Sequence, residues 1–152
     1  MEVPIKINHI NRFLLFKLPA AFFAGVRLRT IDSQHCTTTV KYKWINQNPF
    51  RSMFWAVQAM AAELSTGALV MQSIQNSGLK ISMLLINNKG SYYKKALGRI
   101  TFICKDGVEI QDAIDMAIET NEGQLCLMRS TGTDEAGDIV SDFEFEWSIK
   151  VK

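Results

Sequence analysis

Between Arg51 and Lys80 the chain carries one charged residue, Glu63. The heart of that stretch, Met53 to Met71, is otherwise apolar or small apart from Gln58, Ser65 and Thr66. Those polar residues argue for a helix buried in a protein core and against a membrane span. A helix that is apolar on nearly every side has to be covered on nearly every side. The rest of the chain must therefore wrap around it. The spacing predicts a helix from Phe50 to about Asn76. Asn48 followed by Pro49 suits its start, with Asn48 capping and Pro49 at a position that needs no N–H. Ser52 is a second candidate cap, and Gly78 suits the stop.

The flanking segments read mostly as strands. Gly25–Ile31 and Thr37–Ile45 form a first pair, joined by a turn at Asp32-Ser33-Gln34. In the second of these, Val40, Tyr42 and Trp44 alternate with Thr39, Lys41 and Lys43. After the helix come Ile81–Ile86, Ser91–Ala96 and Arg99–Cys104, and propensity alone puts a turn at Asn87-Asn88-Lys89-Gly90. Ile110, Ala113, Ile114, Ala117 and Ile118 recur at helical spacing, which predicts a short surface helix. Gln124–Thr131 is a further strand, followed by a polar turn over Gly132–Asp138. In the last segment Phe143, Phe145, Trp147, Ile149 and Val151 alternate strictly with polar residues, so one face is buried and one is wet. At the start of the chain, Phe13–Val26 is apolar-rich behind Lys6 and Arg12, somewhat like a secretory leader. Lys17 and Pro19 interrupt it, and the commoner reading is a short amphipathic helix at about Asn8–Phe16 covering one end of a sheet. The fold class is α+β, an antiparallel sheet wrapped around one long central helix. With 152 residues, one domain spanning 1–152 is expected, residues 1–24 being an N-terminal helical segment packed on the sheet.

Composition excludes several functions. With 17 basic and 15 acidic residues there is no concentrated basic face, so no nucleic acid is expected as a partner. Cys36, Cys104 and Cys126 form no CxxC pair, and His9 and His35 have no partner at metal spacing. No metal site and no disulfide framework is expected, which fits a cytoplasmic protein.

The stretch Asn48-Pro49-Phe50-Arg51-Ser52-Met53-Phe54-Trp55-Ala56, continuing to Ala62-Glu63-Leu64-Ser65-Thr66-Gly67, resembles the central-helix region of hotdog-fold thioesterases. It is similar above all to the phenylacetate-pathway type and to an uncharacterised branch beside it. Lys94-Lys95-Ala96-Leu97-Gly98-Arg99-Ile100-Thr101 resembles the strand–turn–strand that follows, and Asp138–Lys152 the closing strand. The resemblance implies one long strand around Ile86–Lys95, against the turn that propensity favours there. It implies an acyl-CoA or other acyl thioester as substrate, with coenzyme A part of that substrate and no further cofactor. It also implies edge-to-edge association into a homodimer or homotetramer; that no membrane is expected follows instead from reading the one long apolar stretch as a core helix.

In the family an acidic residue on the central helix activates water or attacks the thioester, and Glu63 matches it. Asn48 matches an Asn or Gln that positions water or substrate, although a helix cap is already a sufficient reason for that residue. Phe54 and Trp55 stand where the family commonly has His-Gly or a Gly pair. Glycine there lets a ligand approach the backbone, and Trp55 puts a large side chain in that approach. Thr66 and Gly67, one turn past Glu63, border the same groove; related enzymes sometimes use a hydroxyl at that place, and the alternative for Thr66 is a buried hydroxyl bonded to its own helix. Lys94, Lys95 and Arg99 are candidates for the phosphates of coenzyme A, or else solvated charges on a strand edge. Glu63 is read as a general base or nucleophile, against the alternative of a structural carboxylate. The rival to a hydrolase is a non-catalytic acyl- or lipid-binding hotdog domain. A hotdog dehydratase is disfavoured, because that chemistry uses a His before the helix and none follows His35.

Overall fold

A computed structural model describes residues 6–152. The elements are α1 (Ile7–Lys17), α2 (Pro19–Ala24), β1 (Arg27–Ile31), β2 (Cys36–Lys41), α3 (Trp55–Ser77), β3 (Ile81–Tyr92), β4 (Arg99–Cys104), α4 (Gly107–Thr120), β5 (Gln124–Thr133) and β6 (Ile139–Val151). The strands form one antiparallel sheet in the order β1-β2-β4-β5-β6-β3. Helix α3 packs against every strand of it and also against α2 and α4. Its buried residues run from Val57 to Ser73 and leave almost no side of the helix uncovered. The charge-poor sequence required that burial.

Apolar contact is non-directional, so it does not by itself fix how far α3 slides or turns against the sheet. Four polar contacts do. The Thr38 hydroxyl on β2 donates to the Ala61 carbonyl at 2.6 Å. Ser65 Oγ lies 2.7 Å from Ser130 Oγ on β5. The Ser141 hydroxyl on β6 donates to Gln58 Oε1 at 2.7 Å. The indole N–H of Trp147, also on β6, donates to Thr66 Oγ1 at 3.0 Å. Every one of these would be costly to leave unpaired in a buried layer. Among the described residues no fully buried side-chain nitrogen or oxygen lacks a partner.

Both sheet edges bear on the site. Edge strand β1 is covered by α1, whose Asn11 side chain behaves like a neighbouring strand. Its Oδ1 accepts from the Leu28 amide at 3.0 Å and its Nδ2 donates to the Leu28 carbonyl at 3.2 Å. Edge strand β3 pairs with β6 along its whole length, with one irregularity between Leu85 and Asn87. No strand pairs with its other side among the described residues.

The structure corrects several sequence expectations. The strand expected over Thr37–Ile45 ends at Lys41, and Trp44–Asn46 is a 3-10 turn that leaves Trp44 82% exposed. Asn46 causes the break. Its Nδ2 donates to the carbonyls of Ala24 and Lys41, and its Oδ1 accepts from the Lys43 amide. Helix α3 begins at Trp55, not at Phe50, and neither Asn48 nor Ser52 caps it. Phe54 is the capping residue, with no side-chain cap bond. The strand expected over Ile81–Ile86 runs on to Tyr92 as the single strand β3, so the turn favoured by propensity at Asn87–Gly90 does not form, and Tyr93–Ala96, expected to be strand, lies beyond its end. Pairing of Asn87–Gly90 with Phe143–Glu146 outweighs local preference there.

All three cysteines are buried and free. Burial pushes the Cys104 thiol up to about 12, the Cys126 thiol up to about 11 and the Cys36 thiol higher still. Thiolate is the reactive form. Native protein should therefore react with a thiol reagent at least ~100-fold more slowly than unfolded protein, by the thiolate fraction at neutral pH. Denaturation without reductant should release three titratable thiols. A fast native thiol, or fewer than three after unfolding, would contradict this packing.

Candidate functional site

Glu63 lies on the first half of α3, flanked by the buried residues Ala62 and Leu64. It is half-buried. Among the described residues no hydrogen bond and no ion pair reaches its carboxylate. Burial, with no compensating charge, raises the carboxyl above the ordinary glutamate range. Room for the side chain comes from Gly67, one turn on. A Cβ at Gly67 would lie 3.3 Å from Glu63 Oε1 and 3.3 Å from Cζ2 of Trp147. Gly67 therefore leaves a slot one methyl wide between the carboxylate and the indole. The Thr66 hydroxyl is not available to that carboxylate. It donates to the Glu63 backbone carbonyl at 3.0 Å and accepts from Trp147.

The carboxylate opens into a cavity of about 280 Å³. Its floor is one stripe of α3: Glu63, Leu64, Gly67, Ala68, Met71 and Gln75. Ile10 and Phe13 of α1, with Leu18 at the α1–α2 junction, roof it, and Met83 of β3 closes a side. His9 borders it as well. Sequence reasoning missed the roof. Ile10 and Phe13 belong to an amphipathic pattern that shows a helix face without showing what that face covers.

The other candidates gather elsewhere. Asn48, Phe54, Trp55, Lys94 and Lys95 line a second cleft of about 500 Å³, at the start of α3. Trp55 precedes Glu63 by eight residues, or ~12 Å along the helix axis. Phe54 and Trp55 pack edge to face, 5.8 Å between ring centroids, and both are exposed. Asn48 organises the loop before the helix. Its Oδ1 accepts from the amides of Phe50 and Ser52, and its Nδ2 reaches the Met53 carbonyl at 3.3 Å. Lys94 bridges Asp134 at 2.6 Å and Asp138 at 2.9 Å in the β5–β6 turn. Those partners raise its pKa, and Lys94 in turn lowers that of Asp134. Lys95 donates to the Phe50 carbonyl at 3.1 Å. Arg99 is exposed on β4, its amide bonded to Glu135. Within one chain the predicted residues thus fall into two groups, Glu63 with Gly67 and Asn48 with the aromatic pair and the lysines. Thr66 and Arg99 line neither space.

Solved structures share this architecture. A Pseudomonas aeruginosa protein of unknown function, PA5026, described as a probable thioesterase, superposes with a TM-score of 0.83 at 19% identity, covering 100% of both chains. The Chlorobaculum tepidum protein OLEI01261, of unknown function, gives 0.81 at 16% identity over 95% of this chain and 94% of its own. The Haemophilus influenzae thioesterase HI1161 gives 0.69 at 8% identity over 99% and 94%. At such identities the likeness establishes the fold, and the fold is the hotdog fold. No curated protein matches the chain. Residues 8–149 match the model of a domain of unknown function, DUF4442, and the chain belongs to that family.

The Glu63 environment has a consequence for stability. A carboxyl whose folded pKa is raised favours the folded state while it is protonated. That contribution is complete below the ordinary glutamate range and is lost as pH rises through the folded pKa. Glu63→Gln should therefore melt at a higher temperature than the wild type at pH 8, and the gap should close by pH 4. Thermal melts across that range check the sign. A variant less stable than the wild type at pH 8 would mean that the ionised carboxylate has a stabilising partner.

Proposed function

We propose that this chain hydrolyses acyl thioesters, acyl-CoA being the expected carrier form. Glu63 would act as general base, taking a proton from the water that attacks the thioester carbonyl. The carbonyl–sulfur bond breaks, and the products are a carboxylic acid and a free thiol. Attack by the carboxylate itself, with hydrolysis of the resulting anhydride, gives the same products. One observation carries the reading: a carboxylate without a hydrogen-bond partner among the described residues lines a mostly apolar cavity in a helix built for a core. Such a group costs free energy, and its raised pKa brings it closer to what a base working near neutral pH requires. The hotdog architecture shared with thioesterases supports the same reading.

Glu63→Gln should keep the fold and lower thioester turnover by about 10²–10⁴-fold, the usual worth of a positioned base. In the wild type, kcat/KM should rise with pH through the ionisation of Glu63, at a higher pH than an ordinary glutamate would give. Release of free thiol from acyl-CoA, measured on both proteins, decides it, and unchanged turnover in Glu63→Gln would remove the catalytic role. The second reading is a binding domain without turnover. It is favoured by the bulk of Trp55 at the start of α3 and by the separation of Asn48 from Glu63. Tight acyl-CoA binding by a wild type that releases no thiol would establish it.

The working form is proposed to be a homodimer or homotetramer. Asn11 covers the β1 edge, whereas β3 offers a twelve-residue edge with one charge, Lys89, and with Leu84 65% exposed. Such an edge invites pairing with another strand, and closed pairing of two identical edges gives a two-fold dimer. Light scattering at micromolar concentration should return at least twice the mass of the chain, 17.2 kDa. A monomer would exclude this assembly.

A further inference from the structure

The geometry points to a built acyl site in the cavity roofed by α1, sized for a linear aliphatic chain of medium length. It rests on the hydrolase reading only for the chemistry at Glu63.

The first argument is direction. The α3 residues on the cavity floor run from Glu63 to Gln75 in one stripe. Twelve residues of helix span ~18 Å, so the space is elongated along the helix with the carboxylate at one end. A thioester carbonyl held at Glu63 would lay its acyl chain along Gly67, Ala68 and Met71. A linear chain fits that course, whereas a single aromatic ring would fill only its first part. The second argument is chemistry. Beyond Glu63, and apart from His9 at its border and Gln75 at its far end, the space is bounded by apolar residues such as Ile10, Phe13, Leu64, Ala68 and Met83. None of these offers a hydrogen bond to a hydroxyl or a second charge, so a polar acyl group would be desolvated there without compensation. The third is size. An apolar cavity of ~150 Å³ accommodates benzene. At about 280 Å³ this one has room for nearly twice as much, roughly ten carbons on that scale. Its far end is open, because Met71 is 40% exposed and Gln75 is exposed. Met71 thus stands where the chain would leave the protein, and Phe13 of the roof is 39% exposed. These two residues set the length of chain that fits.

Two measurements test the assignment. In the first, affinities of decanoyl-CoA and acetyl-CoA are compared on Glu63→Gln protein by titration calorimetry. Each buried methylene is worth about a factor of four in affinity. Decanoyl-CoA should bind at least ~100-fold more tightly even when only half of the added methylenes are buried. Equal affinities would overturn the proposal. In the second, kcat/KM is measured for butyryl-, octanoyl-, decanoyl-, dodecanoyl- and hexadecanoyl-CoA on wild type, Met71→Trp and Met71→Ala. Position 71 is half-exposed, so both variants should fold. Met71→Trp should lower the value for dodecanoyl-CoA ~10-fold or more relative to that for butyryl-CoA, the scale expected when a pocket loses a few methylenes of space. Met71→Ala should move the optimum towards longer chains. The same chain-length profile in all three proteins would overturn the proposal while leaving the hydrolase reading intact. If the wild type turns over none of the five, the hydrolase reading falls, and the acyl site stands or falls on the affinity ratio alone.

Discussion

The structure depends on the desolvation of α3. A helix with one charge in its length is unstable in water and has to be enclosed, and the curved antiparallel sheet is what encloses it. That demand explains why all six strands contact a single helix and why α4 covers part of it as well. It also explains the small hydroxyl residues spread along the helix. Apolar contact holds α3 in the sheet, and the bonds of Thr38, Ser130, Ser141 and Trp147 to α3 set its register. Two of those bonds come from β6, which makes the closing strand the main ruler for the helix.

The same enclosure gives Glu63 its meaning. In a solvated helix a glutamate at that position would be unremarkable. In α3 it is one carboxylate in a layer that otherwise satisfies its polar groups internally. Gly67 and Trp147 shape the slot beside it, and Trp147 is held in turn by Thr66. The sheet strand that fixes the register of the helix therefore also fixes the wall next to the carboxylate. Changes at Thr66 or Trp147 would act on Glu63 without touching a substrate.

The N-terminal helices belong to the site more than a terminal appendage would suggest. Asn11 docks α1 on β1 through two backbone bonds, and this stops one sheet edge from pairing elsewhere. The same docking carries Ile10 and Phe13 over the α3 stripe. Edge protection and cavity roofing are thus two results of one placement. The opposite edge, β3, pairs with no further strand among the described residues, and its Met83 still reaches the cavity wall. Association through β3 would bring a second chain close to that wall.

Much of the fold was legible in the sequence because it is written in periodicity. The alternation of Phe143, Phe145, Trp147 and Ile149 predicts β6, and the charge-free run around Glu63 predicts a wrapped helix. The identity of the lone carboxylate follows from the same count. Local signals failed where a distant partner outweighed them. Asn87–Gly90 reads as a turn and is a strand, because β6 supplies partners all along it. Thr37–Ile45 reads as one strand and breaks at Lys41, because Asn46 binds carbonyls from two other segments. Asn48 reads as a helix cap and instead folds a loop. The roof over Glu63, and the division of the candidate residues into two spaces, had no trace in local pattern. Sequence alone determined that an apolar helix with one acid would be enclosed, since burial follows from composition along the chain. Tertiary structure decided what that acid faces, since the neighbours of Glu63 come from α1, β3 and β6, segments joined to it only by packing.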